Sequence, residues 1–365
     1  FKEAEAVLDE AMGETNAAAF PLVAAHASLV QLLVRLRAGH TESWRDEAAV
    51  AIAEAMAVFQ DADHHAGLAM GWRLLGWSHG TACHFGLAAE SAERALDEAR
   101  LAADSRLETQ SATAYAAAAV FGPTPVAEAI ERCERAVEQV SGDRQSEGIL
   151  LALLASLLAM EGRFERAREL LAHGLTMLDE LRLPARVARA DHEAWRVEML
   201  AGDLVAAERH IRHGYDLLVE LGEKYLFSTI GGLLGQTLYA LGRYDEAEQL
   251  GRQSQEVATE DDVDTQALWR CLLSKIQARR GAFEEGEALV REAIDVLAPT
   301  DAVLLQYGAF LDLAEVLDLA GRAEEARAAI KEALGLAELK QSTVMVAAAK
   351  RVLAAATERS LVTER

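Results

Sequence analysis

Glycine returns along this chain at a nearly fixed interval: Gly162, Gly202, Gly242, Gly281 and Gly321 are separated by 40, 40, 39 and 40 residues. Similar segments surround them: "EGRFERAREL" at 161–170, "AGDLVAAERH" at 201–210, "LGRYDEAEQL" at 241–250, "RGAFEEGEAL" at 280–289 and "AGRAEEARAA" at 320–329. A repeat of this length constrains the fold more than any other feature, because one unit cannot bury its apolar face alone and must stack on the next. The 365 residues then form one elongated array instead of several globules.

Within a unit the pattern is that of two helices. In "GGLLGQTLYALGRYDEAEQL" (231–250), Leu234, Leu238 and Leu241 fall at helical spacing and Gly235 keeps an adjoining face small. Gly242 suits a helix end in the left-handed conformation. Asp245 opens a second helix, where a carboxylate complements the dipole. Small residues recur seven apart on that second helix: Ala167 with Gly174, Ala207 with Gly214, Ala247 with Ser254, Gly286 with Ala293, Ala326 with Ala333. Each pair lets two helices approach closely. Phe164, Leu204, Tyr244 and Phe283 recur just after the turn as expected plugs, and a buried Tyr244 would cost about 3 kcal/mol to truncate. Earlier units keep Trp72, Leu75, Gly76, Ala88 and Ala95, then Ala48 with Ala55, and Ala4 with Ala11. Pro21, Pro184 and Pro299 stand at starts of first helices, and Pro123 with Pro125 in a turn. The expected fold is all-α, a right-handed α-solenoid of about nine helix pairs spanning 1–365 as a single superhelical domain. The chain opens on a second helix at Phe1, which implies a fragment of a longer multidomain protein.

Composition excludes several partners. With 36 basic and 59 acidic residues the formal charge is −23, which repels nucleic acid and anionic membrane. Cys83, Cys133 and Cys271 form no CxxC pair and read as buried thiols of a reducing, cytoplasmic setting. The most apolar run, 149–160, is too short to cross a bilayer and suits a helix buried on most sides.

Trp72, Leu75, Gly76, Ala88 and Ala95, like Leu234, Gly235, Leu238, Tyr244 and Ala247, resemble the tetratricopeptide repeat. The period of 40 departs from its usual 34, and longer helices would absorb the difference, as in the repeat region of maltotriose-activator-type transcription regulators. Residues 239–349 resemble the C-terminal repeats of large bacterial signalling proteins that join a nucleotide cyclase domain to an ATPase module. That resemblance implies a role in signal transduction. None of the catalytic motifs of such proteins occurs in the chain.

No phosphate-binding loop, GxSxG, HExxH or GxGxxG is present, so neither an enzyme nor a cofactor is expected. "GGLLG" at 231–235 reads as close helix packing. His210 with His213 reads as a surface pair, and the acids of 259–264 as an approach to a helix N-terminus; no metal site is expected. First helices of such pairs line the concave face. The repeat phase directs Arg73, Trp77, Arg189, His192, Arg196, Gln236, Tyr239 and Lys275 toward that groove. Arginine grips carboxylates and aromatic rings stack on peptides, so these residues are the candidate binding set. Trp195 breaks the phase, standing where a small residue is wanted. The function expected is a non-catalytic interaction module, the docking or sensor arm of a larger signalling protein with a protein or peptide in its groove. The alternative is a small-molecule effector sensor. The unpartnered helix at Phe1 also suggests a homodimer.

Overall fold

The computed structural model describes residues 20–38, 44–139, 143–223 and 225–363. Among these, every regular element is a helix. They are α1 (Pro21–Ala38), α2 (Trp44–Asp61), α3 (His65–Thr81), α4 (Phe85–Leu101), α5 (Ser105–Phe121), α6 (Val126–Gln139), α7 (Arg144–Glu161), α8 (Phe164–Glu180), α9 (Pro184–Ala201), α10 (Leu204–Leu221), α11 (Tyr225–Ala240), α12 (Tyr244–Val257), α13 (Val263–Arg279), α14 (Phe283–Leu297), α15 (Val303–Leu319), α16 (Ala323–Lys340) and α17 (Thr343–Thr363). Consecutive helices pair as hairpins, α1 with α2 through α15 with α16, and α17 ends the array as a first helix. The expected unit around Phe1, Ala4 and Ala11 lies outside the described residues, as does the homodimer argument drawn from it.

The stepping glycines mark helix ends as expected. Gly162, Gly202, Gly242, Gly281 and Gly321 all have positive φ, between 76° and 91°. The structure adds further turns. Asp63, Cys83, Ala103 and Arg182 hold φ between 51° and 58°, and Gly222 also lies in the left-handed region. Left-handed turns therefore also fall midway between some of the stepping glycines, though not at the connections 122–125, 258–262 and 298–302, and the sequence reveals mainly the copies written as glycine. Most helices run 17 or 18 residues, so longer helices do account for the long period.

The small pairs lie at hairpin contacts. All of Ala167, Gly174, Ala207, Gly214, Ala247, Ser254, Gly286, Ala293, Ala326 and Ala333 are buried. A Cβ added to Gly174 would stand 2.6 Å from the carbonyl oxygen of Gly148, closer than packing permits. The plugs differ from expectation. Phe164 and Leu204 are half-buried, whereas Tyr244 and Phe283 are 38% and 39% exposed, because their positions lie at the hairpin tips beside solvent.

First helices pack on first helices of neighbouring pairs, α3 on α5, α5 on α7, α7 on α9, α11 on α13 and α13 on α15; second helices make no comparable contact with one another. That asymmetry puts the first helices on the concave side. The array also closes on itself. Helix α15 touches α5 and α17 touches α7, in each case ten helices apart. This is why α7 is apolar all round: residues 148–160 are all buried, enclosed by α5, α6, α8, α9 and α17.

The seam between the two superhelical turns is polar and fully bonded at several points. The Asp301 carboxylate caps α4, accepting from Phe85 N (2.5 Å) and Gly86 N (2.7 Å). Lys340 Nζ, wholly buried, donates to the carbonyls of Ala119, Gly122 (2.7 Å) and Thr124 (3.0 Å) at the end of α5, and burial, then Arg196, pull its pKa down to about 7. Ser342 and Thr343 hydroxyls donate to Met160 and Glu161 carbonyls at 2.8 and 2.9 Å. Cations and hydroxyls meeting helix C-termini satisfy carbonyls that helices leave open. No helix among the described residues is long and apolar enough to cross a membrane.

Candidate functional site

The sequence-selected residues fall in three groups. Arg73 and Trp77 lie on α3, with Trp77 packed against the core formed by Leu29, Ile52 and Phe59. Arg189, His192 and Arg196 share one face of α9 at spacings of three and four. Gln236 and Tyr239 on α11 meet Lys275 on α13. The structure joins the third group tightly, binds His192 to Arg196, and leaves the α3 pair apart from both.

On α9, Arg196 is 9% exposed. Its guanidinium lies 4.5 Å over the Phe121 ring of α5 and bonds Glu193 Oε2 at 3.3 Å. Glu193 also accepts from Ser156 Oγ at 2.7 Å. Arg196 donates to His192 Nε2 at 3.0 Å. Burial, and then the Arg196 guanidinium, pull the His192 pKa down to about 3, so the ring is neutral. A neutral ring that accepts at Nε2 carries its proton on Nδ1, which remains a donor. Trp195 reaches α11. Its Nε1 donates to Thr237 Oγ1 of α11 at 2.8 Å, and Asp191, one turn earlier, takes the place against Gly214.

Further along, a ladder crosses three pairs. Lys275 Nζ donates to Gln236 Oε1 (2.6 Å) and pairs with Asp312 Oδ1 (2.7 Å). Burial alone would lower the Lys275 pKa, but Asp312 and Glu315 outweigh it and hold the ammonium above its ordinary range. The Tyr239 hydroxyl donates to Glu315 Oε1 (2.6 Å) and accepts from Arg279 Nε (2.5 Å), while Arg279 also pairs with Glu315 (2.9 Å). Rungs 236–275 and 239–279 repeat the 39- to 40-residue period as contacts in space.

Arg196, Tyr239 and Lys275 are thus buried at 9%, 5% and 6% exposure and already engaged. Less buried beside them are Arg189, His192, Gln236, Trp195 and Glu315, all half-buried, and Arg279, which is exposed. Sequence reasoning missed Arg279 and Glu315, although both fall on the first-helix phase. Asp264, the last of the acids of 259–264, lies in the first turn of α13, and its Oδ1 is buried without a hydrogen-bond partner among the described residues, which its sequence position did not reveal. Burial, then Asp262, push its pKa up to about 7 against the pull of Arg196. Neighbouring Asp262 caps α13 through Thr265 N at 3.2 Å, as the N-terminal reading of 259–264 expects.

The other candidates have structural roles. His210, half-buried, and His213, exposed, both bond the buried carboxylate of Asp191, at 3.1 and 2.7 Å, so the pair at the surface is anchored to α9. The glycines of 231–235 lie within α11, where a Cβ on Gly235 would meet Leu272 and the Ala247 carbonyl. Among the described residues no three His, Cys, Asp or Glu side chains are grouped to hold a metal ion.

No protein-family model matches the sequence, and no curated protein matches it. Solved structures do match the fold. A Rap conjugation gene regulator of the plasmid pLS20, in complex with the Phr* peptide, aligns at TM-score 0.63 with 12% identity, over 93% of this chain and 95% of that one. A Rap protein complexed with competence and sporulation factor aligns at 0.56 with 15% identity, over 94% and 100%. NprR in complex with its cognate peptide NprX aligns at 0.51 with 11% identity, over 76% and 80%. At these identities the likeness is one of fold, and the fold is a tetratricopeptide-like helical solenoid.

Proposed function

We propose that this chain is a non-catalytic binding module that takes an extended peptide along the first helices α9, α11, α13 and α15. The observation that carries the reading is the ladder itself. Donors and acceptors of both signs (His192 Nδ1–H, the Gln236 amide, Arg279 and Glu315) sit half-exposed on successive first helices beside aromatic rings. Such a face matches the alternating carbonyls and amides of a peptide better than it matches one charged metabolite. Packed helices about 9 Å apart and about 3.3 Å per extended residue give roughly three peptide residues per helix, so about eight residues reach across the packed run α11, α13 and α15 toward α9. Two of the aligned structures, the Rap conjugation regulator and NprR, are complexes with peptides, which supports the same use of the fold here. We read the module as the docking arm of a longer signalling protein.

The test is selection of a random octapeptide library on the purified chain, followed by calorimetric titration of the enriched sequences. Arg189→Ala and Gln236→Ala, both half-buried sites, should each weaken binding about three- to tenfold with unchanged helical content. Enrichment of no sequence, together with a melting shift from a metabolite, would replace this reading with that of a small-molecule sensor.

A further inference from the structure

A second site lies outside the concave face. Helices α5 and α6 pack on each other far more lightly than the helices of the other pairs, because the 122–125 turn, Gly-Pro-Thr-Pro, sends a short α6 away from α5. The divergence opens a groove of about 380 Å³ between α4, α5 and α6. Its apolar lining is Leu96, Ala112, Tyr115, Cys133 and Ala136. Tyr115 is 6% exposed, and its hydroxyl has no hydrogen-bond partner among the described residues. Leaving a buried hydroxyl unbonded is costly, and such a group in a groove marks a place where a missing partner belongs.

The surroundings narrow that partner. Burial, with Glu128 and Cys133 adding to it, pushes the Tyr115 pKa up, so the phenol stays protonated and offers a donor. Burial likewise pushes the Cys133 thiol up to about 12, so it is no nucleophile and the ligand is held without a covalent bond. The charged lining is balanced: three carboxylates, Glu93, Asp97 and Glu108, against three guanidiniums, Arg100, Arg132 and Arg135. These are already paired, Arg132 with Glu93 and with Glu128 at 2.8 Å, Arg100 with Asp97 at 3.5 Å, and Arg135 with Glu131 at 3.7 Å. In a chain of net charge −23, this wall asks for no counter-charge. The volume is that of a small-molecule site.

We infer that the groove between α4, α5 and α6 binds a small neutral molecule with an apolar body and one carbonyl-type oxygen, which accepts a hydrogen bond from Tyr115. The site is separate from the peptide face, so either assignment stands or fails alone.

Acetophenone and its hydrocarbon counterpart ethylbenzene serve as probes, followed by saturation-transfer NMR on the full chain. Acetophenone should bind saturably, and Tyr115→Phe should weaken it about fivefold, as expected for one hydrogen bond, while leaving ethylbenzene unchanged. Ala136→Leu, at a half-buried helical position, should abolish binding of both. Tyr115→Phe should melt no lower than wild type, since the hydroxyl it removes is unbonded. No saturable binding, equal acetophenone affinity in Tyr115→Phe, or retained binding in Ala136→Leu would each overturn the assignment.

Discussion

Asp264 is a carboxyl group with a buried oxygen that has no hydrogen-bond partner among the described residues, and its pKa, raised to about 7 by burial, makes its contribution to stability depend on pH. The folded value lies above the unfolded one, so between about pH 4 and pH 7 the unfolded chain binds fewer protons and stability falls as pH rises. Asp264→Asn should remove that slope. The variant should be about 2 kcal/mol more stable than wild type above pH 7, a figure reduced because the residue is only half-buried, and equal to it near pH 4. Urea denaturation at pH 4, 5.5 and 7.5 measures both ends; a variant less stable at pH 7.5 would mean the carboxylate is well bonded. Tyr244→Ala belongs to the same scale. At 38% exposure the ring should cost about 1 kcal/mol to remove, not the 3 kcal/mol of a buried plug, read from the same melts. Residue identity announced a ring or a leucine after four of the five glycine turns. It could not announce exposure, which depends on how one hairpin tip meets the next.

Helices and turns were more legible. The 40-residue glycine step gave the hairpins, and Pro21 and Pro184 gave two helix starts to the residue. What stayed hidden were the other left-handed turns, because Asp63, Cys83, Ala103 and Arg182 occupy positions that glycine would fill more easily. This makes a paired prediction. Gly202→Ala, at φ 82° with open space around a new Cβ, should destabilise by about 1 kcal/mol through backbone strain alone. Ala103→Gly, at φ 51°, should change stability in the opposite direction by a similar or smaller amount. Opposite shifts in the urea midpoint are expected; the same sign in both would mean that the turn conformation does not set stability here. The Gly174 contact belongs to this scale as well: Gly174→Ala drives a methyl into the Gly148 carbonyl and should cost about 1–3 kcal/mol by the same measurement.

For the whole molecule, nearest-neighbour stacking explains the repeat but not the closure. The bonds from Lys340, Ser342 and Asp301 reach residues 182 to 221 positions away, which no repeat pattern encodes. Lys340→Met leaves the three carbonyls of the α5 terminus without their donor. It should loosen the contact of α16 and α17 with α5 and α7, seen as faster hydrogen exchange in 119–124 and a larger radius of gyration. Contacts between side chains of one helix and its neighbours explain why the candidate site was only half legible. The repeat phase selected residues on α9, α11 and α13, yet Arg196 is engaged by Glu193 of its own helix and by Phe121 of α5, and Lys275 by Asp312 of the next pair. The proposed peptide face is the strip through His192, Gln236, Arg279 and Glu315. Photocrosslinking tests that claim most directly, with a benzophenone group placed at each end of a library-selected octapeptide and the adducts mapped by mass spectrometry. The account predicts adducts on α9 and α11 from one end and on α13 and α15 from the other. Adducts on second helices, or in the groove between α4 and α6, would contradict it.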